Sequence, residues 1–212
     1  MTTTGAILAG GASSRLGGRP KGLEVVAGRR IIDRIAEALR AVVSEVLVVS
    51  NDPDAEDWLP DARVGRDIKT GRSSLVGIHA AISHAGATAG ARAGAGAPVI
   101  VVAWDMPFVT SDLLGLIRDR AATAAHAVIP VPSTGPEPCC AWYSPTVLPI
   151  ISRMIDDGEL RLGALFDRLP SVEVITERQI TKIGDPRRLF FNVNTQVDLD
   201  TAAAMAVSPY AS

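Results

Sequence analysis

The chain has 212 residues, of which 47% are hydrophobic and 21% are charged, and its formal net charge is -2. This length predicts a single domain over residues 1–212 that buries a core without disulfide or metal staples, and the composition excludes wholesale disorder. The nearly neutral charge balance argues against a protein that coats nucleic acid or an anionic membrane. It does not exclude a local basic pocket for phosphates.

The cysteines and the first residues indicate where the protein works. Cys139 and Cys140 are adjacent, which excludes a disulfide framework and favours a reducing compartment. Residues 1–5 carry no basic stretch, and the apolar run after them, 6–9, is too short for a secretory signal or a membrane span. We therefore expect a soluble, cytoplasmic protein.

Short apolar runs alternate with amphipathic stretches, as in a mostly parallel sheet with crossover helices. In chain order the pattern predicts strand 5–9, helix 31–43, strand 46–50, helix 74–84, strand 98–103, helix 111–124, strands 127–131 and 141–143, helices 145–154 and 160–169, strand 172–175 and helix 197–204. Continuous β-branched runs indicate strands covered on both faces. The predicted fold is a three-layer, doubly wound, Rossmann-like α/β domain. The alanine- and glycine-rich segment 85–97 predicts a flexible connection.

A glycine-rich, basic segment follows the first predicted strand. It has glycine pairs at 10–11 and 17–18, and Arg15, Arg19 and Lys21 supply positive charge. Glycines let backbone amides approach an anion closely, so this segment predicts a phosphate-binding loop. The spacing matches neither the mononucleotide nor the dinucleotide glycine motif. The alternative interpretation is an ordinary flexible turn.

A carboxylate stands at the end of another predicted strand. The apolar run 98–103 leads to Asp105, and Pro107 stops the strand from continuing. A carboxylate there suits a divalent cation that neutralises phosphate oxygens, although a turn or helix-capping aspartate is the alternative. Because both strands are expected to be parallel, Lys21 and Asp105 should face the same edge of the sheet.

Two asparagines precede the last predicted helix. Asn192 and Asn194 point to the same side of an extended segment, because side chains alternate with a period of two. They supply neutral oxygen ligands for a metal or phosphate site. The alternative is that Asn194 or Thr195 merely caps the helix.

The remaining candidate residues favour structural roles. His79, His84 and His126 are scattered without the spacing of a zinc site. Cys139 and Cys140 also lack zinc spacing, and we interpret them as a buried pair of small side chains.

Together these motifs resemble a known family. The segments Leu8-Ala-Gly-Gly, Lys21-Gly-Leu, Asp105-Met-Pro-Phe and Asn192-Val-Asn-Thr are similar to the molybdenum cofactor guanylyltransferase family, within the wider nucleotidyltransferase superfamily. Gly71-Arg-Ser-Ser-Leu-Val-Gly-Ile falls where that family has a second nucleotide loop. The resemblance runs in order from residue 6 to about residue 202.

The resemblance implies roles for individual residues. The implied nucleotide contacts are Leu8, Ala9, Gly10, Gly11, Lys21, Asn51, Asp67 and Asp105. The implied catalytic residues are Lys21, Asp105 and Arg15, with Mg²⁺ held by Asp105 and Asn194. Asn192 and Ser74 would lie next to the metal ligands without binding the metal, or would lie near the phosphate acceptor.

The implied reaction is transfer of GMP from GTP to the phosphate of molybdopterin or molybdenum cofactor, with release of pyrophosphate. Molybdoenzymes or cofactor-pathway proteins are the implied protein partners, and neither nucleic acid nor a membrane is. GTP is favoured over CTP because the Asp67 carboxylate accepts from guanine's N1–H and amino group together.

Two departures from the family pattern keep other functions open. Arg72-Ser-Ser resembles the cytidylyl relatives, and Glu137 stands where the family often has His. The alternatives are a CTP-using molybdopterin cytidylyltransferase, another small phosphate-acceptor nucleotidyltransferase, and a nucleotide-binding module without catalysis.

Overall fold

The computed structural model describes residues 3–10, 19–85, 96–124 and 126–207. The strands are β1 Thr4–Leu8, β2 Val25–Val26, β3 Arg29–Arg30, β4 Val46–Val49, β5 Arg63–Gly65, β6 Val99–Ala103, β7 Ala127–Val131, β8 Cys140–Tyr143 and β9 Val172–Thr176. The helices are α1 Ile31–Arg40, α2 Ser74–Ala85, α3 Ser111–Ala121, α4 Leu148–Asp156, α5 Gly163–Phe166, α6 Glu177–Ile180, α7 Pro186–Leu189 and α8 Gln196–Val207. Short 3₁₀ turns occupy Lys21–Leu23, Pro53–Asp57 and Pro145–Val147.

The main sheet has the strand order β5-β4-β1-β6-β8-β7-β9. Neighbouring strands are parallel except at β8, which runs antiparallel to both β6 and β7. The chain winds from β1 outward to β4 and β5, and then returns to place β6 on the other side of β1. In open α/β sheets, ligands bind beyond the carboxyl ends of strands at such a reversal, so the topology directs attention to the ends of β1, β4 and β6.

Helices cover both faces of the sheet and give two hydrophobic cores. Side chains alternate along β1, so that Ile7 packs in the core beneath α1 and α3 while Ala6 and Leu8 pack beneath α2 and α4. In α1 the stripe of Ile31, Ile35 and Leu39 is fully buried, as its i, i+4 spacing predicts. The three-layer, mostly parallel fold expected from the sequence is confirmed.

Several elements differ from the sequence-based expectation. The strand β5 and the β2–β3 hairpin were not predicted, because each strand has only two or three residues and no apolar run. The predicted helix 160–169 is reduced to α5, and the one expected to start at residue 145 begins with a 3₁₀ turn before α4. Most of the predicted connection 85–97 lies outside the described residues. Within those that are described, no helix is both long and apolar enough to cross a membrane.

Candidate active site

A cleft of about 500 Å³ lies at the carboxyl edge of the sheet. Its walls come from the segments that follow β1, β4, β5 and β6 and from the amino-terminal end of α2. Of the residues predicted to bind nucleotide or acceptor, those lining the cleft are Leu8, Ala9, Gly10, Asn51, Asp67, Ser74 and Asp105. The fold therefore brings together side chains that are up to about a hundred positions apart in the sequence.

The end of β1 forms the floor of the cleft. The Ala9 N–H donates to the Val49 carbonyl at 2.9 Å, and the Ser50 hydroxyl donates to the Ala9 carbonyl at 3.2 Å. Gly10 follows at the exposed edge, and a Cβ built on it would meet no atom of the described residues within 4 Å. Gly11 and Arg15 lie outside the described residues.

Lys21 is the most deeply buried charged side chain of the site. Its side chain has 0% exposure, and its Nζ donates a hydrogen bond of 2.6 Å to Oδ1 of Asn194. The same Nζ lies 3.9 Å from Oδ2 of Asp105, whose side chain is 18% exposed. The expected meeting of Lys21 and Asp105 at one sheet edge is therefore present in the geometry.

Burial changes the proton affinity of Asp105. Removal from water raises the pKa of this carboxyl, while the positive charge of Lys21 opposes that rise. The pair thus holds a cation and a carboxylate in a partly dehydrated corner, where electrostatic interactions are stronger than in bulk water.

An aromatic wall supports the Lys21 turn. The indole of Trp104 stacks on Trp58 with ring centroids 5.4 Å apart, and both line the cleft. A Cβ on Gly22 would come within 2.6 Å of the Trp104 ring, so only glycine lets the backbone after Lys21 lie this close. This wall is not predictable from the sequence, because nothing in the local pattern shows that Trp58, Trp104 and Gly22 meet.

Asn51 and Asp67 form a reciprocal pair at the far side of the cleft. Nδ2 of Asn51 donates to Oδ2 of Asp67 at 2.7 Å, and the backbone N–H of Asp67 donates to Oδ1 of Asn51 at 2.9 Å. Each residue follows one of the neighbouring parallel strands β4 and β5, which explains why they meet. One Asp67 carboxylate oxygen is therefore engaged and the other is available to a ligand.

The remaining predicted residues differ in position. Ser74 lines the cleft at the start of α2, and Cys139 also lines the cleft. The predicted buried cysteine pair is therefore wrong for Cys139, which is partly exposed, and right for Cys140. Asn192 donates from Nδ2 to the Phe190 carbonyl at 2.9 Å and serves a local turn.

The oxygen atoms at this edge of the cleft suit a hard divalent cation that is held mainly by the phosphates of a bound nucleotide. Within the described residues, no group of three or more His, Cys, Asp or Glu side chains is placed to hold a metal. Mg²⁺ is commonly bound through one or two carboxylates, with phosphate oxygens and waters completing its shell. Asp105 at the cleft edge meets that requirement.

Comparison with known proteins agrees with this geometry. Residues 5–172 match the family model of the MobA-like NTP transferase domain. A molybdenum cofactor guanylyltransferase from Desulfosudis oleivorans is 32% identical, covering 95% of this chain and 94% of the relative. A probable molybdenum cofactor guanylyltransferase from Pelotomaculum thermopropionicum is 31% identical, covering 97% and 94%. The crystal structure of molybdopterin-guanine dinucleotide biosynthesis protein A from Archaeoglobus fulgidus superposes with a TM-score of 0.78 at 26% identity, covering 97% of this chain and 100% of that one. The family resemblance expected from the sequence is confirmed, and the chain belongs to the MobA-like NTP transferase family.

Proposed function

We propose that this protein transfers the GMP moiety of GTP to the terminal phosphate of molybdopterin or molybdenum cofactor and releases pyrophosphate. The observation that carries the proposal is the buried Lys21 ammonium 3.9 Å from the Asp105 carboxylate, at the edge where β1 and β6 end. The names of the relatives favour this acceptor among the phosphates that the cleft would admit.

The chemistry needs positioning and charge neutralisation more than a nucleophilic side chain. An oxygen of the acceptor phosphate bonds to the α-phosphorus of GTP, and the bond between that phosphorus and the bridging oxygen to the β-phosphorus breaks. Pyrophosphate leaves with the electron pair. Because the attacking oxygen is already anionic, repulsion between the two phosphate groups is the main obstacle.

Lys21 and Asp105 address that obstacle in different ways. The Lys21 ammonium lies behind the cleft wall beside Asp105, and its positive charge would attract the phosphates more strongly because it is buried. Asp105 would hold a divalent cation such as Mg²⁺, which would neutralise phosphate oxygens. Gly10 carries no side chain that would obstruct close approach of the nucleotide. Gly11 keeps its proposed role as a nucleotide contact, and Arg15 its proposed catalytic role.

The far side of the cleft supports guanine over cytosine. The Asp67 carboxylate, oriented by Asn51, would accept hydrogen bonds from the N1–H and the amino group of guanine, one at Oδ1 and the other at the second lone pair of Oδ2, which already accepts from Asn51. Cytosine would direct its N3 and O2 acceptors toward the same carboxylate, which is unfavourable. A site built for one hydrogen-bonding edge discriminates against another, since its polar groups would otherwise stay unpaired.

The experiment measures pyrophosphate release with each of the four nucleoside triphosphates, in Mg²⁺, with and without molybdopterin. The expected result is release that depends on molybdopterin and is fastest with GTP. Faster release with CTP identifies a cytidylyltransferase. Tight nucleotide binding without turnover on any phosphate acceptor identifies a binding module and contradicts the proposal.

A further inference from the structure

The hydrogen bond between Lys21 and Asn194 joins two distant parts of the chain. The residues are 173 positions apart, and Asn194 lies beyond residues 5–172, which the family model matches. The 2.6 Å distance is short for a bond from an ammonium to a neutral amide oxygen. The C-terminal segment thus makes direct contact with the buried cation of the site.

Asn194, rather than Asp105, fixes the position of the Lys21 ammonium. Lys21 Nζ is hydrogen-bonded to the amide oxygen at 2.6 Å, whereas the Asp105 carboxylate at 3.9 Å is beyond hydrogen-bond distance. A fully buried ammonium needs hydrogen-bond acceptors, because it has lost its water. The Asp105 carboxylate attracts the Lys21 ammonium electrostatically, but it makes no hydrogen bond that would orient it.

Asn194 is itself held from two sides. The Val193 N–H donates to the Asp105 carbonyl at 2.8 Å, which ties this segment to the end of β6. Oδ2 of Asp198 accepts from the Asn194 N–H at 2.9 Å and from the Thr195 N–H and hydroxyl at 2.8 and 2.9 Å. These bonds form the N-terminal cap of α8, so the helix end fixes the backbone from which Asn194 reaches Lys21.

We propose that Asn194 and Asp198 are positioning residues, which hold the Lys21 ammonium beside Asp105, and that Asn194 acts through Lys21 rather than as a metal ligand. The inference rests on the proposed function in one respect, namely that Lys21 meets the triphosphate. Backbone hydrogen bonding from Asn194 is the main cause that lowers the pKa of Asp198.

A double-mutant cycle tests how Asn194 acts. Asn194→Ala is measured in the natural chain and in a Lys21→Met background, with kcat/KM for GTP and the Mg²⁺ concentration for half-maximal rate as readouts. We expect a loss of roughly 10- to 100-fold in the natural chain, because misplacing a catalytic group has effects of that size. In the Lys21→Met background the further loss should be under about twofold. Equal losses in both backgrounds, with a raised Mg²⁺ requirement, would overturn the inference.

A second measurement needs neither substrate nor turnover, so it separates this inference from the proposed function. The chain has three lysines, and Lys69 and Lys182 serve as internal references for the acetylation rate of Lys21, followed by mass spectrometry. Asn194→Ala should accelerate acetylation of Lys21 several-fold relative to the references, while the melting temperature shows that the fold persists. Unchanged acetylation of Lys21 in this folded variant would contradict the inference whatever the nucleotide is.

The role of Asp198 has a matched control on the same helix. Asp198→Ala removes the cap and should raise Lys21 acetylation, to a smaller extent than Asn194→Ala does. Asp200 accepts a hydrogen bond from Gln196 at 3.0 Å and has no bond to Asn194 among the described residues. Asp200→Ala should therefore leave Lys21 acetylation unchanged, and equal effects of the two variants would exclude a specific role for Asp198.

Discussion

The two ends of the cleft are built differently. At one end Lys21 is fully buried, and its partners Asn194 and Asp105 come from distant parts of the chain. At the other end Asn51 is exposed, and it pairs with Asp67 from the neighbouring strand segment. The first end is pre-organised by packing, whereas the second is held by hydrogen bonds that water can reach.

This difference separates two tasks of a nucleotidyltransferase. Charge neutralisation gains from burial, because electrostatic interactions strengthen when water is excluded. Recognition of a base needs hydrogen-bonding groups that a ligand can reach, and this is the role proposed for exposed Asn51 and half-buried Asp67. Variants of the buried end should therefore change the rate strongly, and variants of the exposed end should mainly change the choice of nucleotide.

The largest effect is expected at the buried end, from Asp105→Asn. The substitution keeps the shape and removes the charge that is proposed to hold the cation, so Mg²⁺-dependent turnover should fall by on the order of 1,000-fold while the melting temperature stays close to that of the natural chain. Asp61→Asn, at an exposed position, is the matched control. Unchanged turnover with an unchanged metal requirement would exclude Asp105 as the metal ligand.

A smaller and more selective effect is expected at the exposed end. Asp67→Asn retains an oxygen that accepts from Asn51, but it places an amide where guanine needs an acceptor. The ratio of kcat/KM for GTP to that for CTP should fall by roughly 10- to 100-fold, measured side by side in Mg²⁺. A parallel loss with both nucleotides would show that Asp67 does not read the base.

The aromatic wall behind Lys21 predicts a change in stability. Gly22→Ala places a methyl group 2.6 Å from the Trp104 ring, which the stack on Trp58 holds in place. The free energy of unfolding should fall by about 1–3 kcal/mol, since extra atoms in a packed site force neighbours to shift. Denaturant titration followed by tryptophan fluorescence measures it.

Gly163→Ala is the control for Gly22→Ala, because a Cβ there would meet no atom within 4 Å in the described part of the chain. If both variants unfold at the same denaturant concentration as the natural chain, the close packing of Trp104 on the Lys21 turn is contradicted.

The smallest effect is expected at Glu137, in the loop between β7 and β8 close to Cys139. Burial raises the pKa of this carboxyl from 4.5 to about 7, and its side chain has no hydrogen bond or ion pair with the described part of the chain. Between those two pH values the folded protein binds more protons than the unfolded one. The free energy of unfolding should therefore decrease as the pH rises from about 4.5 to about 7.

Glu137→Gln replaces the titrating carboxyl with a neutral amide. After allowance for partial exposure, the variant should be more stable than the natural chain by on the order of 1–2 kcal/mol above pH 7, and its stability should depend less on pH. The exposed Glu56→Gln is the control. Parallel pH profiles for the natural chain and Glu137→Gln would show that Glu137 does not titrate in this range.

The sequence predicted those features that depend on local pattern. The β-branched run of β6 and the proline after it placed Asp105 at a strand end, and the glycine-rich segment after β1 indicated the phosphate side. The strand β5 was not predicted, because a three-residue segment that begins with arginine shows no alternating or continuous apolar pattern. Even so, Asp67 was identified through the family resemblance.

Contacts between distant segments could not be predicted in this way. The pattern around Asn194 offered metal binding and helix capping as local alternatives, and the observed bond to Lys21 spans 173 positions. The stack of Trp58 on Trp104 likewise depends on how two loops meet at the sheet edge. Such contacts follow from the topology, and no periodicity in the sequence encodes them.

The central claim is tested most directly by following the α-phosphate of GTP. The protein is incubated with Mg²⁺, molybdopterin and GTP labelled either at the α- or at the γ-phosphorus. The account predicts that the α label enters a pterin dinucleotide and the γ label appears in pyrophosphate, both only when molybdopterin is present. Absence of the α label from any pterin product, or its preferential entry from labelled CTP, would contradict the account.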